Sequence, residues 1–171
     1  GSKQFFEITP ITYPVHTAIA RASSIAKQKG VDINLTEDED LYLLGDHIQI
    51  TSAIYNLLDN AIKYTEEGTG KIDITIQAKE KNIEVMISDN GIGIPESSHN
   101  RVFERFYRVD PSRSRESGGT GLGLAIVRHV VLNHDGKISL DSKEGQGTSF
   151  TISLPQQKQD QIETNPTEVK V

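Results

Sequence analysis

An amphipathic pattern over residues 46–65 constrains the fold most, because it predicts one long helix with a continuous apolar stripe. Apolar side chains recur there at helical spacing and can face a core: Ile50, Ile54, Leu57, Leu58, Ala61 and Ile62. At its start, Asp46 with Gln49 resembles a capping box, although Ser or Thr is the usual first residue. The other elements are therefore expected to pack around this helix.

The polar face of the same helix carries a candidate ligand site. Asn56 and Asn60 are four residues apart and stand one turn apart on one face, and Lys63 can join that face. Two amides and an ammonium group suit an anionic ligand that carries a magnesium ion. The alternative is a solvated polar stripe, which is the common outcome on an amphipathic helix and is favoured by this stretch alone.

The strands that follow predict the fold class. The period changes from helical to alternating over 72–78 and again over 83–87, which predicts an antiparallel hairpin with one apolar face. The patterns also predict an entry strand or loop at 3–13, helices at 14–29 and 121–133, and a short helix from Pro95 to about Phe103 or Phe106. They further predict strands at 31–36 and 41–44 and a hairpin of 137–141 with 148–154. Together these helices and strands predict an α+β two-layer sandwich with helices on one face of a mostly antiparallel sheet.

Composition limits the possible classes of protein. The 171 residues suffice for one domain with a real core, and no apolar run approaches the length needed to cross a bilayer. There is no cysteine, so disulfides, thiol catalysis and cysteine-based zinc sites are excluded. Gly1-Ser2 resembles an expression scar, and we expect the chain to be a piece of a larger protein.

Charge is unevenly distributed along the chain. The net charge is −6, so binding to nucleic acid is not expected. Five of the seven arginines nevertheless lie within residues 101–115. A cationic segment in an acidic chain requires an anion, a partner or plain solvent around it.

A glycine-rich loop, D-N-G-I-G, follows the second strand of the predicted hairpin at residues 89–93. Its glycines let the backbone turn tightly and approach a flat ligand closely. An ionised Asp89 can accept a hydrogen bond from an exocyclic amine such as that of adenine. A glycine turn with a capping Asp is the alternative, and the motif alone is weak evidence.

A second glycine motif, G-T-G-L-G-L, runs directly into a predicted helix at residues 119–124. Free backbone N–H groups and the positive end of the helix dipole form an anion cradle there. The spacing does not fit the dinucleotide fingerprint, and no P-loop motif occurs in the chain. A hinge before the helix is the alternative, and residues 108–120 are predicted to be a mobile loop.

Between these loops lies F-E-R-F-Y-R, at residues 103–108. Its aromatic side chains predict core packing, for Phe103 in particular. The functional alternative is an anchor that positions the following loop, with Arg108 reaching a phosphate.

The four motifs occur in one order, and together they resemble the ATP-binding catalytic domain of sensor histidine kinases in the GHKL ATPase superfamily. The resemblance covers residues from about 5 to 155 and includes Gly45-Asp46 and the closing segment 145–148, G-Q-G-T. It implies a mixed, roughly five-stranded sheet with three main helices on one face. It also implies one catalytic domain at 3–155, with a polar tail at 156–171 that we expect to be disordered.

The resemblance also implies roles for individual residues around ATP and Mg²⁺. Asn60 would coordinate the metal with support from Asn56, and Asn60, Lys63 and Arg108 form the catalytic set, with Arg108 on the γ-phosphate. Asp89 would read the adenine amine. The remaining nucleotide-binding residues are Tyr64 and Lys63 near the phosphates, Gly91, Gly93 and Ile94 at the base, and Gly119, Thr120, Gly121, Leu122 and Gly123 at the phosphates. Residues 109–120 correspond to the family's ATP lid.

Two absences refine the expected activity. Hydrolytic members of the superfamily carry a glutamate general base where this chain has Asn56, so rapid ATP hydrolysis is not expected. The family's acceptor histidine precedes an acidic residue on a helical dimerisation domain. None of the chain's histidines has that context, and we interpret all five as surface or core residues: His16, His47, His99, His129 and His134.

The expected function is therefore to present the γ-phosphate of Mg-ATP to a histidine on a separate dimerisation domain, for onward transfer to a response regulator receiver domain. We expect this piece to be monomeric and cytoplasmic, and the parent protein to be homodimeric and anchored in the cell membrane. One alternative is a GHKL protein-serine kinase of the anti-sigma type. The other is a non-catalytic interaction module with the same fold.

Overall fold

The computed structural model describes residues 3–38, 41–105, 107–109 and 122–158, which form three α-helices over one face of a five-stranded sheet. The helices are α1 (Thr12–Lys29), α2 (His47–Tyr64) and α3 (Gly123–Asn133), and the strands are β1 (Glu7–Pro10), β2 (Asp32–Glu37), β3 (Tyr42–Gly45), β4 (Lys71–Lys79), β5 (Asn82–Asp89), β6 (Lys137–Lys143) and β7 (Gly147–Pro155). The predicted α+β two-layer sandwich is confirmed.

The main sheet has the order β2-β4-β5-β7-β6, with β2 parallel to β4 and every other pair antiparallel. Both predicted hairpins, β4 with β5 and β6 with β7, are present. The two short strands predicted at 31–36 and 41–44 lie in different sheets. β2 forms an edge of the main sheet, whereas β3 pairs with β1 in a two-stranded ribbon that Gln157 extends by donating its N–H to the Tyr42 carbonyl at 2.8 Å.

The core lies between the sheet and the helices, and α2 occupies its centre. The alternating residues of β4 and β5 point toward the helices and are at most 2% exposed: Ile72, Ile74, Ile76, Ile83, Val85 and Ile87. Leu57, Leu58 and Ile62 of α2 are equally buried. Burial of each such side chain contributes about 1.5–3 kcal/mol, so the apolar stripe fixes which face of α2 remains for polar residues.

Asp46 caps the first turn of α2. Its Oδ1 accepts the N–H groups of Ile48 at 2.9 Å and Gln49 at 3.3 Å. In a complete capping box the Gln49 side chain would bind the Asp46 N–H, but here it donates to the Asp46 carboxylate at 3.2 Å. The Asp46 N–H instead donates to Nε2 of His134 at 3.1 Å. The predicted box is therefore half formed, and a buried histidine takes the second position.

The last turn of α2 is held by α1. Lys29 ends α1, and its ammonium group donates to the carbonyl of Ile62 at 2.6 Å and to that of Lys63 at 3.0 Å. A cation at this end satisfies carbonyls that lack partners within the helix and complements the helix dipole. Both ends of α2 are thus fixed by neighbouring elements.

The segment after Pro95 differs from the prediction. It forms a 3₁₀ helix only over Glu96–Ser98, followed by hydrogen-bonded turns to residue 105. A segment this short cannot offset the cost of nucleating an α-helix without an apolar stripe of its own. The predicted mobile loop at 108–120 and the predicted tail lie almost wholly outside the described residues, as does Gly1-Ser2. None of the helices within the described residues is long and apolar enough to cross a membrane.

His134 gives the fold a pH-dependent element. It is 4% exposed, its Nδ1 contacts the Val130 carbonyl at 2.8 Å, and its ring stacks on Phe6 at 4.4 Å. Since Nε2 accepts the Asp46 N–H, the neutral ring carries its proton on Nδ1. Burial lowers the pKa of His134 below 6.5. The hydrogen bond to the Val130 carbonyl and the charges of Asp46 and Asp135 oppose that shift, and Lys3 adds to it.

We predict that a drop in pH destabilises the native protein more than it destabilises a His134→Gln variant. Below about pH 6.5 the unfolded chain binds a proton that the folded chain excludes, so the stability due to neutral His134 is present above that pH and lost as the pH falls. The variant should be about 1 kcal/mol less stable at neutral pH. Thermal midpoints at about pH 7.5 and about pH 5.5 measure both effects.

The matched control is His129→Gln, which changes an exposed histidine of α3, the helix that His134 caps at its C-terminus. It should keep the pH dependence of the native protein. A His134→Gln variant with that same pH dependence would contradict the prediction.

Candidate functional site

Three separate segments meet at the end of α2. The loop after β5 contacts the helix directly, because the Ile92 N–H donates to the Tyr64 carbonyl at 3.1 Å. The turn between β6 and β7 approaches the other side of that loop, and the Gly145 N–H donates to the Ile92 carbonyl at 2.7 Å. The D-N-G-I-G motif is therefore held between the helix that carries Asn60 and the G-Q-G-T segment.

Two glycines make this arrangement possible. A Cβ on Gly91 would lie 2.2 Å from the Tyr64 carbonyl oxygen. Gly93 has a φ of +74°, and a Cβ there would lie 2.0 Å from the Lys143 carbonyl oxygen. Both contacts involve main-chain atoms that cannot move aside as a side chain can. The glycines thus let the loop pack closely against the main chain of Tyr64 and Lys143. The close approach of a ligand, for which the sequence suggested these glycines, is a separate prediction.

Asp89 ends β5 at this junction, where the main-chain N–H groups of Gly91 and Thr148 bind its carboxylate. The Gly91 N–H donates to Oδ1 at 2.9 Å. Burial raises the pKa of Asp89 above 3.8, and the two N–H groups act in the opposite direction. The charged form costs stability here, which is typical of a residue kept for function. The carboxylate retains lone pairs that a ligand amine can use.

Asn56 lies on the half-buried polar face of α2 and contacts the start of α3. Its Nδ2 donates to the Ser52 carbonyl at 2.8 Å, which fixes the orientation of the amide. Its Oδ1 faces Gly123, where a Cβ would lie 3.1 Å away. Asn60 is half-buried one turn further along, toward Tyr64. The structure therefore places Asn56 beside Gly123 of the second glycine motif, and Tyr64, four residues after Asn60, beside the D-N-G-I-G loop.

Lys63 has a partner that the sequence analysis did not identify. Its ammonium group pairs with the Asp59 carboxylate at 2.9 Å, and both side chains are about a quarter exposed. The signal was present in the sequence as an acid four residues before a base on one helix. Contact of Lys63, or of its half-buried neighbour Tyr64, with phosphate remains a prediction.

Aromatic residues anchor the segment of chain that leads to Arg108. Phe103 packs edge-on against Phe150 at 5.9 Å, which confirms its predicted core role. The Tyr107 hydroxyl contacts Ser98 Oγ at 2.8 Å, and the guanidinium of Arg101 lies 4.6 Å from the Tyr107 ring centroid. Arg108 follows directly and is half-buried.

The G-T-G-L-G-L motif is described only in part. Gly119, Thr120 and Gly121 lie outside the described residues, as does the predicted lid apart from Val109. Leu122 precedes α3, and its carbonyl accepts the Ile126 N–H at 3.0 Å. Gly123 is the first residue of α3, so the described part of the motif enters a helix as predicted.

Two polar residues near the site were missed in the sequence. Asn90 accepts the Lys71 N–H at 2.8 Å and donates to the Thr69 carbonyl at 3.1 Å, which joins the loop to the start of β4. Its position inside the motif was a usable signal, because Asn side chains often bind nearby backbone. Ser142 accepts the Ile94 N–H at 2.8 Å, and no local pattern points to it.

The chain matches known proteins over the residues that form this site. Residues 45–158 match the family described as histidine kinase-, DNA gyrase B- and HSP90-like ATPase. The sensor-like histidine kinase SenX3 of Mycolicibacterium smegmatis is 44% identical over 144 residues, which are 83% of this chain and 37% of that protein. The chain spans about a third of the length of the SenX3 relatives that it matches.

Two solved structures have the same fold. The mycobacterial sensor histidine kinase MprB has a TM-score of 0.76 and 31% identity, and the match covers 89% of this chain and 98% of that one. Full-length ShkA in complex with AMPPNP has a TM-score of 0.77 and 25% identity, and the match covers 88% of this chain and 31% of that one.

We predict that Gly91→Ala disrupts the junction at the end of α2. The added methyl group would clash with the Tyr64 carbonyl and force the loop away, at a cost of about 1–3 kcal/mol. Thermal unfolding should show the loss of stability, and calorimetry should show a loss of AMPPNP affinity.

The control is Gly68→Ala. Gly68 has a φ of +85° and no atom within 4 Å of the added methyl group. Only the left-handed backbone costs energy there, about 1 kcal/mol, and AMPPNP affinity should be retained. A Gly91→Ala protein that equals the native protein in both measurements would refute the assignment of this contact.

Proposed function

The chain belongs to the histidine kinase-, DNA gyrase B- and HSP90-like ATPase family, and from that membership we propose that it is the catalytic domain of a two-component sensor histidine kinase. The observation that supports this most is the direct backbone contact between the Asp89 loop and the end of the asparagine-bearing helix α2. One ligand can reach a base-reading carboxylate and a phosphate-facing helix only if these two parts adjoin.

In this proposal the adenine end of ATP binds at Asp89. The carboxylate accepts a hydrogen bond from the exocyclic amine, while the main-chain N–H groups of Gly91 and Thr148 hold it in place. Gly91, Gly93 and Ile94 form the wall beside the base. The structure of ShkA with AMPPNP, an ATP analogue, has the same fold and is consistent with this ligand class.

The residues at the other end of the site fit a magnesium ion. The Asn56 amide is held with its oxygen toward the start of α3, and Asn60 offers a second amide oxygen on the same face of α2. Such oxygens are suitable ligands for Mg²⁺ alongside phosphate oxygens. The ion, when bound, neutralises phosphate charge, and the neutral asparagines do not cancel its own charge. No group of three acidic or histidine side chains that could hold a metal lies within the described residues.

The proposed reaction is transfer of the γ-phosphoryl group to another domain. Lys63 and Arg108 provide positive charge near the phosphates, and the backbone N–H groups at the start of α3 bind phosphate oxygens, together with Gly119, Thr120 and Gly121. The lack of a glutamate base at Asn56 leaves water poorly activated. The nucleophile is therefore supplied by a partner.

The proposed nucleophile is a histidine of a separate dimerisation domain. Three histidines of this chain already use ring nitrogens: Nε2 of His99 contacts the Ile94 carbonyl at 2.9 Å, Nε2 of His16 contacts Glu37 at 2.9 Å, and both nitrogens of His134 are hydrogen-bonded. His47 stacks on Tyr13 at 3.8 Å, His134 is buried, and His129 is exposed on α3. The onward acceptor would be the receiver domain of a response regulator.

The family relatives favour this function over the alternatives. The matched proteins are named as sensor histidine kinases, which supports a histidine rather than a serine acceptor. A non-catalytic module has no reason to retain Asn60, Asp89 and both glycine motifs. We further propose that residues 3–155 are a cytoplasmic catalytic domain of a membrane-anchored, dimeric parent protein.

Binding of AMPPNP with Mg²⁺ to the native chain, measured by calorimetry, tests the nucleotide site. Asp89→Asn should lower the affinity about tenfold or more, because each factor of ten corresponds to about 1.4 kcal/mol and a charge-assisted hydrogen bond is lost. Since the pKa of Asp89 is raised in the fold, the stability that it contributes is present at low pH and lost as the pH rises through that pKa. At neutral pH the variant should therefore unfold no earlier than the native protein.

The matched control is Asp73→Asn, an exposed acid on β4, which should leave the affinity unchanged. Incubation of the chain alone with γ-labelled ATP should yield almost no phosphohistidine. Absence of AMPPNP binding would refute the proposed function, and strong labelling of this chain would refute the separate acceptor.

Arg108→Ala should weaken the binding of ATP by about tenfold and leave that of ADP unchanged, because a charge-assisted contact with the γ-phosphate is worth about 1.5–3 kcal/mol. Arg21→Ala is the control, since Arg21 is exposed on α1 and lies outside the segment that positions Arg108. Equal losses for ATP and ADP would contradict the role assigned to Arg108.

A further inference from the structure

One row of side chains crosses four strands at the proposed base site. The strand register places Ile72 of β4 opposite Asp89 of β5, Asp89 opposite Thr148 of β7, and Thr148 opposite Ser142 of β6. Residues directly opposite each other in antiparallel strands project from the same face of the sheet. Ile72 is fully buried in the core, so the whole row faces the helices. Asp89, Thr148 and Ser142 are therefore consecutive neighbours on the face that carries the site.

The Ser142 hydroxyl has three hydrogen-bond contacts. It accepts the Ile94 N–H at 2.8 Å, donates to the Gly147 carbonyl at 2.9 Å, and lies 2.8 Å from Thr148 Oγ1. A serine hydroxyl has one hydrogen and two lone pairs. The carbonyl can only accept, so it takes that hydrogen, and the Ile94 N–H takes one lone pair. The third contact is satisfied only if Thr148 donates its hydroxyl hydrogen to Ser142.

These hydrogen bonds determine what Thr148 can offer a ligand. Its hydroxyl hydrogen is directed at Ser142, and its main-chain N–H donates to the Asp89 carboxylate. The Thr148 oxygen is left as an acceptor, and the residue is 7% exposed beside Asp89, which is also an acceptor. A base edge that meets these two side chains must present N–H donors, as an amino group does. A carbonyl oxygen at that position would face two acceptors.

We propose that Ser142 is a specificity-determining residue that selects an amino-bearing purine over one with a carbonyl group by fixing the hydroxyl hydrogen of Thr148. Ser142 acts through Thr148 and is therefore a positioning residue. The proposal rests on the proposed function, because it takes the base to lie at Asp89. Removal of the Ser142 hydroxyl frees the Thr148 hydrogen, which can then be donated to a carbonyl oxygen of a ligand.

The experiment compares ATP with inosine triphosphate, in which a carbonyl oxygen replaces the amine. Affinities with Mg²⁺ are measured by calorimetry for the native chain and for Ser142→Ala. The ratio of ATP affinity to inosine triphosphate affinity should fall by about fivefold or more in the variant, as expected for one hydrogen bond. General loosening of the loop would weaken both nucleotides alike and leave the ratio unchanged.

Two further variants serve as controls. Ser142→Thr keeps the hydroxyl and should restore the native ratio. Ser149→Ala removes a hydroxyl from the opposite face of β7, where it contacts Ser88 at 2.6 Å, and should not change the ratio.

The outcomes separate the two proposals. A native ratio in folded Ser142→Ala would overturn the role of Ser142 while ATP binding by the native chain still supports the function. Failure of the native chain to bind ATP would instead overturn the proposed function. If Ser142→Ala does not fold, Thr148→Val replaces it, because that variant lacks the acceptor itself. A native ratio in Thr148→Val would overturn the role of Ser142.

Discussion

The hydrogen bond from Ile92 to the Tyr64 carbonyl is the contact on which the candidate site depends. Carbonyls in the last turn of a helix lack partners within the helix, and here the D-N-G-I-G loop supplies one. Because Gly91 has no side chain, main-chain atoms alone set the separation of loop and helix. The distance from Asp89 to the polar face of α2 is thereby a property of the backbone. It does not depend on the rotamer of any long side chain.

Two aspartates illustrate how similar groups serve different purposes in this fold. Asp46 uses its carboxylate to cap the helix that organises the core, and Ile48, Gln49 and the Gln49 side chain occupy its oxygens. Asp89 is bound by two N–H groups, yet burial still raises its pKa. The first carboxylate stabilises α2 as its N-terminal cap. The second, when ionised at neutral pH, lowers the stability of the fold. Keeping a charged group at such a place is consistent with selection for ligand binding.

Local sequence patterns were sufficient for the elements but not for all of their pairings. The apolar stripe of α2 and the alternation in β4 and β5 follow from side-chain period, so both were predictable. β2 and β3 read alike as short strands, and only their distant partners place them in different sheets. The role of Ser142 was likewise not predictable from local sequence, since it accepts the N–H of Ile94, which lies 48 residues away in the chain.

For the cap of α2 and for the glycine motifs, too, the local feature was predictable but its distant partner was not. The Asp46 cap was predicted, but its second partner, His134, lies 88 residues away and carries no local signal. The glycine motifs were recognised from their spacing. The atoms that require glycine there, the carbonyls of Tyr64 and Lys143, became apparent only in three dimensions.

The bridge between Tyr42 and Gln157 has a consequence for the order of folding. It joins positions 115 residues apart, so the edge of the β1–β3 ribbon can close only after nearly all of the described chain has left the ribosome. Contacts of such long sequence separation form late, because loop closure must be offset before they add stability. During synthesis, β3 would therefore expose an unpaired edge for most of the time that the chain takes to emerge.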